Sequence, residues 1–78
     1  MQKPLIKGIY RHYKGNLYQV IEMAKHCDTE EVFVLYRALY GDYGLWLRSL
    51  ADFCAEVESG AGRQARFLLE TALEAPAP

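Results

Sequence analysis

Tyr36-Arg-Ala-Leu-Tyr-Gly-Asp-Tyr-Gly-Leu-Trp-Leu-Arg48 is the stretch that decides how this chain reads. Apolar and aromatic runs flank Gly41-Asp-Tyr-Gly44, a turn sequence in which glycine accepts backbone angles that other residues resist. Directly upstream, Val32-Phe-Val-Leu-Tyr36 is a continuous β-branched and aromatic run, the composition of a strand. Its apolar residues fall on both parities, so cover on both faces is expected. Leu45-Trp-Leu-Arg48 then leads back as the partner strand.

Toward the N-terminus, Gly8 to Tyr13 is rich in β-formers and Lys14-Gly-Asn16 is a turn. Leu17 to Lys25 follows as a longer strand, and the pair makes a hairpin. His26 to Glu31 is polar and acidic and makes the next turn. Beyond Arg48 the pattern changes. Leu50, Phe53, Cys54 and Val57 recur at helical spacing, with Ser49 and Asp52 placed as a capping box. That predicts a short helix near residues 50 to 56. Gly60-Ala-Gly62 breaks the chain again. Gln64 to Leu69 suits a closing strand, whereas Phe67 to Leu73 also suits a helix, and the Ala, Leu, Glu, Arg and Gln content leans helical.

The chain has 78 residues, enough for one domain. A domain of this size buries only about 60% of the surface its unfolded chain exposes, so its core is thin. The composition is 51% hydrophobic and 24% charged, that of a folded globular protein and far from a disordered one. Nine basic against ten acidic residues give a formal charge of −1, which argues against a dedicated duplex-DNA binder. No apolar run approaches a membrane span, and Met1 to Gly8 lacks the apolar core of a signal peptide. Two separated cysteines, Cys27 and Cys54, form no CxxC pair and read as reduced thiols of a cytoplasmic protein. Cys54, beside Phe53 and Val57, is expected to be buried. Cys27, in a polar turn, is the more reactive of the two.

Gly8-Ile-Tyr-Arg-His-Tyr-Lys-Gly15, Tyr18-Gln-Val20, Ala24-Lys-His26, Thr29-Glu30, Tyr36, Leu39-Tyr-Gly-Asp42 and Trp46-Leu-Arg48 together form a specific pattern. It continues through Phe53, Glu56-Val57, a glycine turn and Arg66-Phe67, covering roughly residues 8 to 67. In this pattern the chain resembles a family of short bacterial proteins catalogued only as a domain of unknown function. Two positions depart from that family, which usually has proline where this chain has Ser49 and Ala65. The resemblance implies that Ala65 to Leu69 is the closing strand of a compact, mainly β domain. It implies no activity.

Together these readings give a mainly β fold with one short helix. The architecture is a small five-stranded SH3-like barrel or a strongly curved antiparallel sheet. Residues 1–7 are a lead-in, 8–70 a single small β domain, and 71–78 a disordered tail.

Catalytic and metal chemistry find little support. A zinc site would recruit His12, His26, Cys27 and Cys54, but no pair has ligand spacing, and neighbours in a strand point to opposite sides. No phosphate-cradling glycine loop is present, so no catalytic residue, metal or cofactor is assigned. Asp42 is expected to bond its own turn, with an ion pair to Arg37 or Arg48 bracing it.

What stands out is aromatic density beside arginine. Tyr10, Tyr13, Tyr40, Tyr43 and Trp46, with Arg11, Arg37, Arg48, His12 and Asp42, are the candidate ligand-binding set. Arginine beside tyrosine or tryptophan stacks on bases and pairs with anions. The first functional reading is therefore a non-enzymatic module that binds a peptide or single-stranded nucleic acid. Its rivals are a small-ligand pocket or enzyme using His12, Asp42 and an arginine, and a structural homodimer formed through an edge strand or the apolar Val32–Leu35 face.

Overall fold

The computed structural model describes residues 5–73. β1 (Gly8–His12), β2 (Leu17–Lys25), β3 (Val32–Ala38) and β4 (Leu45–Ser49) follow in sequence, then α1 (Leu50–Phe53). β5 (Glu56–Ser59), β6 (Gly62–Ala65) and β7 (Phe67–Ala72) complete the chain. A five-stranded antiparallel sheet runs in the order β4-β3-β2-β1-β7, and β5 with β6 forms a separate hairpin. The expected antiparallel five-stranded sheet is present, but no barrel forms. Among the described residues β4 and β7 do not pair with each other, so both edges stay open.

Register explains which side chains meet. Val20, Tyr36 and Trp46 form one cross-strand row, and Met23, Val34 and Arg48 form the next. A bulge at Ile21 keeps both rows on one face, because a one-residue slip would otherwise turn half of β2 over. That face carries the core: Tyr10, Val20, Val34, Tyr36 and Phe67, closed by Leu50 and Phe53 of α1. Phe53 stacks on Phe67 with ring centres 4.0 Å apart and meets Tyr10 and Tyr36 edge-on. Cover on both faces of β3 is not realised. Leu45 and Leu47, across from Arg37 and Leu35, are exposed on the far side, as is Leu68.

Local signals set the turns and the helix. In the β3–β4 turn, Gly41 and Tyr43 take φ of 61° and 57°, and the Gly44 N–H donates to Asp42 Oδ1 at 3.2 Å. The Asp52 N–H donates to Ser49 Oγ at 3.2 Å, so the expected cap is made. Ser49→Ala should therefore cost about 1 kcal/mol, measured as a shift in the urea midpoint with unchanged m.

The helix is shorter than its spacing implied. The Cys54 and Ala55 N–H groups close the last turn on Leu50 and Asp52, and the next residues leave to form the β5–β6 hairpin. Cys54 is consequently exposed, where burial was expected, and Val57 belongs to β5. Arg63 reaches Glu56 and Glu58 across that hairpin at 3.8 and 3.6 Å. Residues 67–72 are strand, against their helical propensity, because pairing with β1 outweighs a preference of a few tenths of a kcal/mol per residue. β7 thus extends past the expected boundary at residue 70, while residues 1–4 and 74–78 lie outside the described residues. Among the described residues no helix is long and apolar enough to cross a membrane.

Candidate functional site

The core face runs out of cover at its β3–β4 end, and a pocket of about 250 Å³ opens there. Tyr18, Tyr36, Tyr40 and Trp46 wall it, with Arg48 among them. β2 supplies Tyr18, β3 Tyr36, β4 Trp46 and Arg48, and the β3–β4 turn Tyr40. Trp46 is 57% exposed, and Tyr40 and Tyr43 are exposed beside it. Of the tyrosines, the thin core takes only Tyr10 and Tyr36, and it leaves Tyr40, Tyr43 and Trp46 exposed.

Hydrogen bonds fix the walls. Tyr18 and Tyr40 share one between their hydroxyls at 2.5 Å. Burial first, then that bond, pushes the Tyr18 pKa up to about 12, so its hydroxyl keeps its proton. Arg48 Nε donates to the Tyr36 hydroxyl at 3.1 Å, and its Nη1 donates to Asp52 Oδ2 at 2.5 Å. Burial works against the charge of Arg48, but the bonds to Asp52 and Tyr36 outweigh it and hold its pKa above the usual value. The other oxygen of Asp52 faces Arg66 Nη2 at 3.6 Å, so one carboxylate answers two guanidiniums. The Arg66 Nε is buried with no acceptor.

His12 stands next to this cluster, its ring against Tyr13, Tyr18 and Phe67. Its Nδ1 accepts from the Lys14 N–H at 3.2 Å. Burial, then the charges of Arg48, Arg66 and Lys14, lower its pKa below 6.5. The folded state therefore disfavours the imidazolium. His12's contribution is fully present above the unfolded value of 6.5 and is lost as pH falls toward the depressed folded value. His12→Gln should flatten the pH dependence of stability in that window, read from urea midpoints at stepped pH.

Several expected members of the site lie elsewhere. Tyr10 is core, its hydroxyl donating to the Ile6 carbonyl at 2.7 Å. Arg11 projects from the opposite face, bonded to Glu70 and to the Gly15 carbonyl. Arg37 braces the β3–β4 turn by donating to the Tyr43 carbonyl at 2.7 Å, not by pairing with Asp42. Among the described residues Asp42 makes no ion pair, so the fork of Arg37, Asp42 and Arg48 does not form. His12 and Asp42 likewise share no hydrogen bond, so the pair on which the rival enzyme reading drew is not assembled.

Tyr18, Tyr36, Asp52 and Arg66 stood outside the candidate binding set. Tyr18 and Tyr36 belong to the wider aromatic group shared between core, rim and binding surface, and Asp52 reads as a helix cap. Arg66 had a signal, its place in the Arg66-Phe67 block, but nothing local ties it to Arg48.

The polar turn after β2 also differs from its strand-based reading. His26, Cys27 and Asp28, all exposed, bring ligand-capable atoms within 4.8 Å of one another. Turn geometry, not strand alternation, governs these neighbours, and His26 Nδ1 accepts from the Asp28 and Thr29 N–H groups. Neither His12 nor Cys54 joins them. A second hollow of about 270 Å³ lies nearby, lined by Ala24, Lys25, His26, Phe33 and Leu47. It lacks the convergent polar groups of the Trp46 pocket.

The fold and its site define a small, mainly β protein with an open sheet and an aromatic, arginine-bearing pocket at one end. The chain belongs to DUF1653, a family of proteins of unknown function whose pattern matches residues 8–69. It is similar to a crystal structure of a DUF1653 protein from Bordetella bronchiseptica, 35% identical, over 92% of this chain and 95% of that one, with a TM-score of 0.80. No curated protein matches the chain.

Proposed function

We propose that this protein is a non-enzymatic binding module for single-stranded nucleic acid, with one base held in the Trp46 pocket. The observation that carries the reading is the pocket itself, four aromatic rings around an arginine on the open end of the sheet. Every base offers a π-face, and stacking contributes about 1–3 kcal/mol per base without demanding a sequence. A volume of about 250 Å³ falls below the usual range of drug-sized sites, which suits one base better than a large ligand. The uneven match of Arg48 and Arg66 against Asp52 favours an anionic partner over a neutral peptide.

Trp46 is the only tryptophan, so its fluorescence reports on the pocket directly. Titration with a short oligonucleotide should quench it, and affinity should fall as salt rises. Trp46→Ala should weaken binding of a labelled oligonucleotide by about 10- to 100-fold while leaving the thermal midpoint nearly unchanged, because the side chain is exposed. Binding that ignores salt, or that selects peptides over every oligonucleotide, would overturn this reading.

A second reading, self-association, is favoured by the exposed Leu45, Leu47 and Leu68 on the far face of the sheet. Leu47→Lys would then convert a dimer to a monomer in sedimentation velocity. A wild-type chain that sediments as a monomer at high concentration removes it.

A further inference from the structure

The cluster behind the aromatic pocket carries more positive charge than the pocket's own arginine requires. Arg48 and Arg66 share the single carboxylate of Asp52, Oδ2 to one and Oδ1 to the other. Lys14 is close enough to His12 to act on it electrostatically, as are both arginines. Three cations against one carboxylate leave about two positive charges around a neutral imidazole. Arg66 Nη2 reaches Asp52 Oδ1 only at 3.6 Å, longer than a hydrogen bond, so that guanidinium's bonding capacity is only partly used. Asp52 accepts a hydrogen bond from Arg48 and stands at ion-pair distance from Arg66, so it lies between the two guanidiniums.

We propose that Arg48 and Arg66, held apart by Asp52 and supported by Lys14, form a phosphate-monoester subsite, so that the pocket selects a nucleotide bearing a terminal phosphate. This rests on the nucleic-acid reading and narrows it. An internal phosphodiester carries one negative charge, whereas a monoester carries close to two at neutral pH, matching the local excess. The planar guanidinium forks of two arginines suit an oxygen-rich dianion better than a single lysine would. A one-base pocket beside such a subsite takes the end of a strand, or a free mononucleotide, in preference to its middle. His12, neutral next to the subsite, offers a hydrogen bond without adding a charge that the arginines would oppose.

The test compares matched oligonucleotides with a 5′-phosphate, a 3′-phosphate or neither, alongside a nucleoside monophosphate and its nucleoside, on the whole chain. The phosphorylated member of one pair should bind at least about tenfold tighter than its hydroxyl form, the scale of a charge-assisted bond. The mononucleotide arm tells a free nucleotide from a strand end. Arg66→Gln should erase that preference, bringing the phosphorylated member down to the affinity of its hydroxyl form. Should Arg66→Gln fail to fold, the His12 ring resonance serves instead. A bound phosphate raises the His12 pKa in the wild-type protein, and a titration curve unmoved by the nucleoside monophosphate counts against the subsite. Equal affinity for phosphorylated and unphosphorylated oligonucleotides overturns the subsite and leaves the nucleic-acid reading standing. Binding to none of them overturns both.

Discussion

Phe53→Ala is expected to lower the unfolding free energy by about 3–5 kcal/mol, the range for removing a large buried aromatic ring. Phe53 is 1% exposed, and its ring contacts Tyr10, Tyr36 and Phe67. Among the described residues one buried cluster of seven side chains forms the core, so no second one shares the loss. At about 0.05–0.15 kcal/mol per residue, a 78-residue chain has on the order of 4–12 kcal/mol in total. The variant would therefore keep at most a fraction of its stability. Circular dichroism during urea titration measures this, and Phe53→Leu provides the control that keeps most of the volume. A midpoint for Phe53→Ala within error of wild type would show that α1 does not close the core in solution.

Gly8→Val should be nearly as damaging, for a different reason. A Cβ at Gly8 would stand 2.3 Å from the Thr71 carbonyl oxygen and 3.0 Å from Ala72 Cα. Both are backbone atoms of β7, so neither yields by rotating a side chain. Only separation of β1 from β7 relieves the clash, at about 1–3 kcal/mol or more for an overpacked site. Hydrogen exchange should show Phe67 to Ala72 losing protection while β2 and β3 keep theirs. Because β7 begins directly after Arg66 and carries Phe67, ligand binding should weaken along with it. Uniform protection across all five strands would mean that the sheet accommodates a side chain there.

These two effects differ in how far they could be read from the chain. Phe53 announced itself through its helical spacing with Leu50. Gly8 stood at the start of a strand with no sign that another backbone would press against it. Its constraint comes from a pairing between segments more than sixty residues apart (Gly8 with Ala72).

The site divides along the same line. Trp46, Tyr40 and Arg48 were legible because they crowd one turn and the strand after it, too many rings for a slim interior, whereas Tyr43 crowds the same turn without lining the pocket. Arg11 and Arg37 were drawn in by proximity in sequence, yet strand alternation sends both to the opposite face, away from Trp46. Arg66 was left out for the converse reason: it lies far along the chain but is joined to Arg48 through Asp52.

By itself the amino-acid sequence determined whatever depends on contacts a few residues long. β2 spans Leu17–Lys25 as its composition indicated, Ser49 caps a helix, and Asp42 bonds its own turn. Such features rest on backbone geometry and hydrogen bonds between near neighbours, which residue types specify directly. The tertiary structure alone decided that the sheet stays open, that residues 56–65 form a hairpin, that residues 67–72 pair with β1, and that one carboxylate joins two distant arginines. Each depends on which strands meet and in what register, and a single residue's slip would place every one of those side chains on the other face.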